Sequence, residues 1–251
     1  MKFLQNNRNQ IIILILLPLL FLFRMVFFGE IVTTNDELER HPINEWRDSY
    51  FADENDMPQW YPNLFSGMPS YGGYIYTNGD PTKFFRSKLL FNPGLKVWFY
   101  LSLSGIGMFV LLQLFEIGKT SALFGSLISA LTPYAFGLIN AGHLNKIFAM
   151  AYIPWVLYAA IHFIHKPRPS GILLLSLVTA LQLWANHPQV AYYTWMVIGF
   201  YYVWILFSSI NSKTFSTKNT LYPLVGLVVG IIIALLMVSD PYVDIYKFQE
   251  Y

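Results

Sequence analysis

The sequence predicts an all-α polytopic membrane protein, and three observations carry that expectation. Of its 251 residues, 55% are hydrophobic and only 12% charged, well under the quarter or so of charged residues in an average soluble domain. The apolar residues fall in long runs separated by short polar breaks, the pattern of helices that each cross ~30 Å of hydrocarbon. Aromatic residues make up 18% of the chain, many near the ends of those runs, where amphipathic rings anchor at the membrane interface. A net charge of +2 is too small to suggest nucleic acid as a partner, and the absence of cysteine removes disulfides and thiolate metal sites.

The first run, Ile11 to Phe28, is interrupted by Pro18 and Arg24 and passes into Gly29-Glu30 with no small-residue cleavage site. It is therefore expected to be a retained first span, with Arg24 snorkelling at its far end, and not a signal peptide. Further runs at about Leu95–Phe115, Ser121–Ile139, Ile147–Ile164, Gly171–Ala185, Val190–Ser208 and Leu221–Val238 bring the expected spans to seven. The fifth of the seven is the shortest and ends in a tight Asn186-His187-Pro188 turn.

Charge sets the expected orientation, because short cytoplasmic loops carry the excess of Lys and Arg. Lys2, Arg8, Lys119, Lys166, Arg168, Lys213 and Lys218 lie in one set of breaks with the single acid Glu116. The other thirteen of the fourteen acids lie in the opposite set, from Glu30 and Asp36 to Asp240, Asp244 and Glu250. The N-terminus is accordingly expected in the cytoplasm and the long 30–93 loop outside it. The chain reads as one transmembrane module over 1–251, in which 95–238 hold the six later spans and 239–251 open a further outer segment that stops short. The chain is therefore expected to be a piece of a longer protein.

Within the long loop, Pro42 is suited to the first position of a helix, where its missing N–H costs nothing. Ile43, Trp46 and Tyr50 then recur at helical spacing, which predicts a short amphipathic helix lying on the membrane surface. Residues 53–58 read as a turn and Gln59–Phe65 as a second short helix. Ser66-Gly67-Met68-Pro69 and Tyr71-Gly72-Gly73 supply backbone that a ligand can approach closely.

Chemistry-bearing residues segregate to the outer breaks: Asp36, His41, Asp56, His143, Lys146, His187 and Asp240. Lys146 stands out, since a cation on that side runs against the charge rule. His143 and Lys146 are spaced to donate together to phosphate oxygens, with a capping His and a snorkelling Lys as the structural alternative. Asp36 follows the first span closely and could serve as a general base, with a solvated loop acid or a cap of the helix after it as the structural alternative. Asp53 and Asp56 are the only candidates for a metal, a divalent cation held by oxygens, but their spacing is not that of a calcium loop. No Walker loop, dinucleotide glycine motif, HExxH or nucleophile elbow occurs.

Thr34-Asn35-Asp36, His41-Pro42, Trp46 and Pro58-Gln59-Trp60-Tyr61-Pro62-Asn63-Leu64-Phe65-Ser66-Gly67-Met68-Pro69 resemble the N-terminal part of YfhO-like bacterial membrane proteins, of the GT-C glycosyltransferase superfamily. Ala141-Gly142-His143-Leu144-Asn145-Lys146, Asn186-His187-Pro188-Gln189, Tyr192-Tyr193 and Ser239-Asp240-Pro241-Tyr242 extend the similarity over nearly the whole chain, although family members continue well beyond it. The resemblance implies a GT-C-like fold in a bacterial plasma (inner) membrane. It also implies transfer of a sugar from a polyprenyl-phosphate donor to a cell-envelope polymer or lipid on the extracytoplasmic face. Asp36 matches the carboxylate base by position. Arg40, His41, His143, Lys146 and His187 are the expected contacts to the lipid phosphate. Asp36-Glu37 stands where a clean Asp-x-Asp would be, so no motif supports a metal. The competing expectation is a non-enzymatic lipid or small-solute transporter, or an envelope-assembly protein. Such a transporter should hold polar groups deep within its spans, where Gln113 and Gln182 are the main candidates.

Overall fold

A computed structural model of the chain describes residues 2–30, 35–56, 58, 60–62, 66–69, 81–212, 216–239, 242, 243 and 246, with the backbone alone at 2, 4, 35–41, 44, 83 and 217–219. The first apolar run forms three helices end to end, α1 (Lys2–Asn6), α2 (Arg8–Phe21) and α3 (Phe23–Phe27). Next come α4 (Asn35–Glu54), a two-stranded antiparallel ribbon of β1 (Trp60–Tyr61) and β2 (Met68–Pro69), and α5 (Thr82–Phe84), which runs on as a π turn at Phe85–Leu89. The apolar body is α6 (Pro93–Leu114), α7 (Lys119–Ala130), α8 (Pro133–Asn140), α9 (Leu144–Ala151), α10 (Ile153–His165), α11 (Pro169–Trp184), α12 (Pro188–Asn211) and α13 (Thr217–Met237).

Among the described residues, five helical stretches are long and apolar enough to cross a membrane: Pro93–Leu114, Lys119–Asn140, Leu144–His165, Pro188–Asn211 and Thr220–Met237. Arg8–Phe21 and Pro169–Trp184 are apolar but shorter. Phe200, Trp204 and Phe207 on α12 and Leu235 and Leu236 on α13 point away from the bundle and stay exposed. Lipid covers such faces, and the chain is a multi-pass helical membrane protein.

Two full-length stretches are broken where sequence reading expects continuous helices. Lys119–Asn140 divides into α7 and α8 at Leu131-Thr132, and Leu144–His165 into α9 and α10 at Tyr152. Each break precedes a proline, Pro133 at the start of α8 and Pro154 at the start of α10, which fits a first turn but cannot donate to the turn before it. The turn between α8 and α9 is only Ala141-Gly142-His143, with Gly142 at φ +79°, so Lys146 lies inside α9 and not in a loop.

Two expectations for the long loop fail. Pro42 does not open its helix. α4 begins at Asn35 and carries Pro42 in its interior, because the helix formers Glu37 to Arg40 extend it toward the N-terminus, at the cost of one hydrogen bond. The helix also runs through Asp53 to Glu54, and the chain turns only after it, where Asn55 adopts φ 51°. The second failure is the short helix expected over Gln59–Phe65. Trp60 and Tyr61 instead pair with Pro69 and Met68, as two aromatics between prolines favour an extended conformation. Trp46 on α4 rests 5.5 Å from the Tyr61 ring and 5.7 Å from Tyr50. Tyr71-Gly72-Gly73 and Asp240 lie outside the described residues.

The body is organised around α6 and α10, which pack on one another and on most of the remaining helices. Their contact is set by Gly107, above which the Trp155 indole reaches the Leu103 carbonyl at 2.9 Å. A Cβ at 107 would stand 2.5 Å from that indole nitrogen. Asn92 caps α6 by accepting from the Leu95 N–H at 2.7 Å, and its amide donates to the Val26 carbonyl at 3.2 Å, tying the end of α3 to the start of α6. Tyr100 of α6 stacks on Phe148 of α9 with centroids 4.3 Å apart. That stack sits in the apolar core beneath the α8–α9 turn.

Candidate functional site

The α8–α9 and α11–α12 turns lie at the same end of the bundle. In the first, the Gly142 N–H donates to Ile139 and the His143 N–H to Leu138, and the His143 carbonyl receives the Lys146 N–H at 3.2 Å. In the second, Asn186 adopts φ +58°, a left-handed conformation that asparagine tolerates better than most residues, and its N–H donates to the Leu183 carbonyl at 2.9 Å. Pro188 then starts α12. Tyr242, from beyond α13, braces the second turn by donating to the Leu183 carbonyl at 3.2 Å. Burial pushes its phenol up to about 12.

Between the two turns runs a groove of about 310 Å³, walled on one side by Tyr134, Lys146, Met150 and Ile153 and on the other by Gln189, Val190, Tyr193, Thr194 and Val197. Its surface is largely apolar, and its polar atoms come from a few side chains. Lys146 Nζ lies 5.3 Å above the centre of the Tyr134 ring, a cation–π arrangement. No carboxylate pairs with Lys146 among the described residues, where the ion pairs are Arg24–Glu30 and Arg47–Asp48. Gln189 Nε2 donates to the Tyr193 hydroxyl at 3.0 Å along the rim.

His187 adjoins this groove. Its imidazole is held below the ordinary value of 6.5, first by burial, then by the charge of Lys146 and, more weakly, of His143, against the opposing pull of its own backbone. That electrostatic reach brings together three residues that the sequence marks separately. Nδ1 of His187 is buried with no hydrogen-bond partner among the described residues, an unsatisfied polar atom of the kind that ligands complete. His143 is exposed at the start of α9. Chemically, a lysine with no counter-charge among the described residues, a half-buried imidazole and apolar walls make a receptor for an anion carrying a hydrocarbon tail.

None of the remaining candidates is among the residues that line the groove. Asp36, Arg40 and His41 belong to α4 by backbone, and their side chains lie outside the described residues. Asp53 and Asp56 are exposed, and no group of three or more metal-ligating side chains occurs among the described residues. The groove also contains residues that sequence reading did not pick out. Tyr134 was legible only as an interfacial aromatic, and Gln189 and Tyr193 only within a turn motif. Comparison with known proteins finds no matching family model, curated protein or solved structure.

Proposed function

We propose that the groove receives the phosphate of a lipid-linked sugar and that the protein is a GT-C-like glycosyltransferase of the YfhO-like kind in a bacterial plasma membrane. The observation that carries this reading is Lys146. It is a cation without a carboxylate partner among the described residues, held over Tyr134 in an apolar groove and within electrostatic reach of His187. Such a groove suits a polyprenyl phosphate, with the headgroup at the Lys146 end and the chain along the apolar wall. In this reading the two shorter apolar helices also span, which makes seven. The N-terminus is then cytoplasmic, and the groove and long loop face outward.

Asp36, in the first turn of α4, takes the proton of an acceptor hydroxyl on an envelope polymer or lipid. The hydroxyl oxygen attacks the anomeric carbon as the bond from that carbon to the donor phosphate oxygen breaks, with inversion. Lys146, His143 and His187 hold the phosphate as negative charge collects on it, which is where electrostatic stabilisation contributes most. Arg40 and His41, on the same helix as Asp36, assist at the headgroup in this reading.

The two helix breaks favour a second reading, a lipid or small-solute transporter, since discontinuous spans commonly frame transport sites. Full-length protein in vesicles containing a polyprenyl-phosphate sugar separates the two. The enzyme reading expects sugar transfer that Asp36→Asn abolishes while donor binding persists, and Lys146→Gln should weaken binding itself. Binding or translocation with no transfer by the unaltered protein supports the transporter reading and rejects the enzyme.

A further inference from the structure

Pro133 and Pro154 break two neighbouring spans close to their midpoints, and a single small cavity collects both breaks. The cavity holds about 20 Å³ and is lined by Ser129 and Thr132 from the α7–α8 break, Met150 and Ala151 from the α9–α10 break, and Ser104 of α6, with Tyr100, Leu101, Ala135 and Ile147 closing its largely apolar wall. That volume suits one water molecule or one small ion.

Its polar groups are hydroxyl and carbonyl oxygens set in an otherwise apolar lining. Pro133 has no N–H to offer the Ser129 carbonyl, so that acceptor loses its helical partner at a residue lining the cavity; the Met150 carbonyl, which Pro154 cannot serve, accepts from the Tyr152 N–H instead. The C-terminal ends of α7 and α9 both fall here, and helix C-termini carry partial negative charge. The hydroxyls point to a ligand independently of the backbone. Ser126, Ser176 and Thr194 each donate back along their own helix at 2.6–2.8 Å, the usual way such groups are satisfied in a span. The hydroxyls of Ser104, Ser129 and Thr132 make no hydrogen bond among the described residues. Ser102 and Thr179 are buried and unpaired elsewhere in the bundle; Ser104, Ser129 and Thr132 are half-buried and share one cavity.

We infer that this cavity is a monovalent cation site, fitted to Na+, built from the three hydroxyls and the freed Ser129 carbonyl where the two helix breaks meet. A hard cation takes oxygen ligands, and the lack of any carboxylate in the lining selects single over double charge. Half-helix C-termini and unwound carbonyls are the donors that hold Na+ within membrane spans. The inference rests on the breaks and the hydroxyls beside them and does not depend on the phosphate reading of the groove.

The test is thermal unfolding of the full chain in detergent, in NaCl, KCl or choline chloride at matched ionic strength. Saturating Na+ is expected to raise the midpoint by about 5 °C over choline, with a smaller effect of K+. Thr132→Val and, separately, Ser104→Ala should erase most of the Na+ increment while leaving the choline midpoint nearly unchanged. Equal midpoints in Na+ and choline would overturn the proposal in favour of a cavity that holds only water. So would a Na+ increment that survives in both variants.

Discussion

Gln182 Nε2 donates to Thr194 Oγ1 across 3.0 Å, between two buried side chains. The same nitrogen reaches the Ala149 carbonyl at 3.2 Å, and Thr194 in turn donates to Val190 at 2.8 Å. One glutamine thus ties α9, α11 and α12 together at the floor of the groove, which Thr194 itself lines. A double-mutant cycle of Gln182→Leu and Thr194→Val should return a coupling of about 0.6–1.7 kcal/mol, the range for hydrogen bonds between spans. Coupling indistinguishable from zero would mean that the contact does not hold the groove together.

Lys146 and Tyr134 make a second pair whose value depends on a ligand. Lys146→Gln should weaken binding of a fluorescent polyprenyl phosphate roughly tenfold or more, the scale of a lost charge-assisted hydrogen bond. Tyr134→Leu should cost less, about 0.5–1 kcal/mol, because it removes only the ring beneath the ammonium. Equal affinity for a phosphate lipid and an uncharged lipid of the same length would remove phosphate from the account.

For His187 the sign comes from its depressed pKa. The unfolded imidazole takes its proton near 6.5 and the folded one only at lower pH. Stability is therefore kept above the ordinary value and lost as pH falls through it. His187→Gln should flatten that part of the stability profile between about pH 7 and 5. An anion in the groove acts in the opposite sense by favouring the protonated ring, so phosphate-lipid binding should tighten as pH drops across the same window. Binding that weakens on acidification would contradict the placement of His187 beside the anion.

Gly94 tests the joint between the first helices and the body. A Cβ there would lie 2.4 Å from the Met25 carbonyl group and 2.7 Å from the Val26 nitrogen, and backbone cannot step aside as a side chain can. Gly94→Ala is expected to destabilise by about 2–4 kcal/mol. The loss should appear as earlier proteolysis near α3 and a lower unfolding midpoint. Unchanged values for both would show that α3 and α6 do not approach so closely.

Much of the molecule was legible in its residues, though unevenly. The runs around Leu95, Val190 and Leu221 became helices close to their expected bounds, since run length and hydropathy are local properties. Lys146 was singled out by its sign and His187 by its place in a turn that Asn and Pro otherwise explain, and the structure brings the two within electrostatic reach. Pro133 and Pro154 were visible throughout, yet apolar neighbours on both sides hid the breaks they cause. Pro42 misled in the other direction, since a proline that suits a first turn can be carried inside a longer helix when the residues before it favour one.

By itself, then, the sequence determined that this is a membrane protein of apolar helices with its ionisable groups gathered in the polar breaks, because partition into lipid depends on composition along each run. Tertiary structure alone decided that Lys146, Tyr134 and Tyr193 share one groove beside His187, and that Ser104, Ser129 and Thr132 share one cavity. Those groupings arise from how helices cross and where they break. Side-chain packing settles both between segments far apart in the chain, where no local pattern of residues can record them.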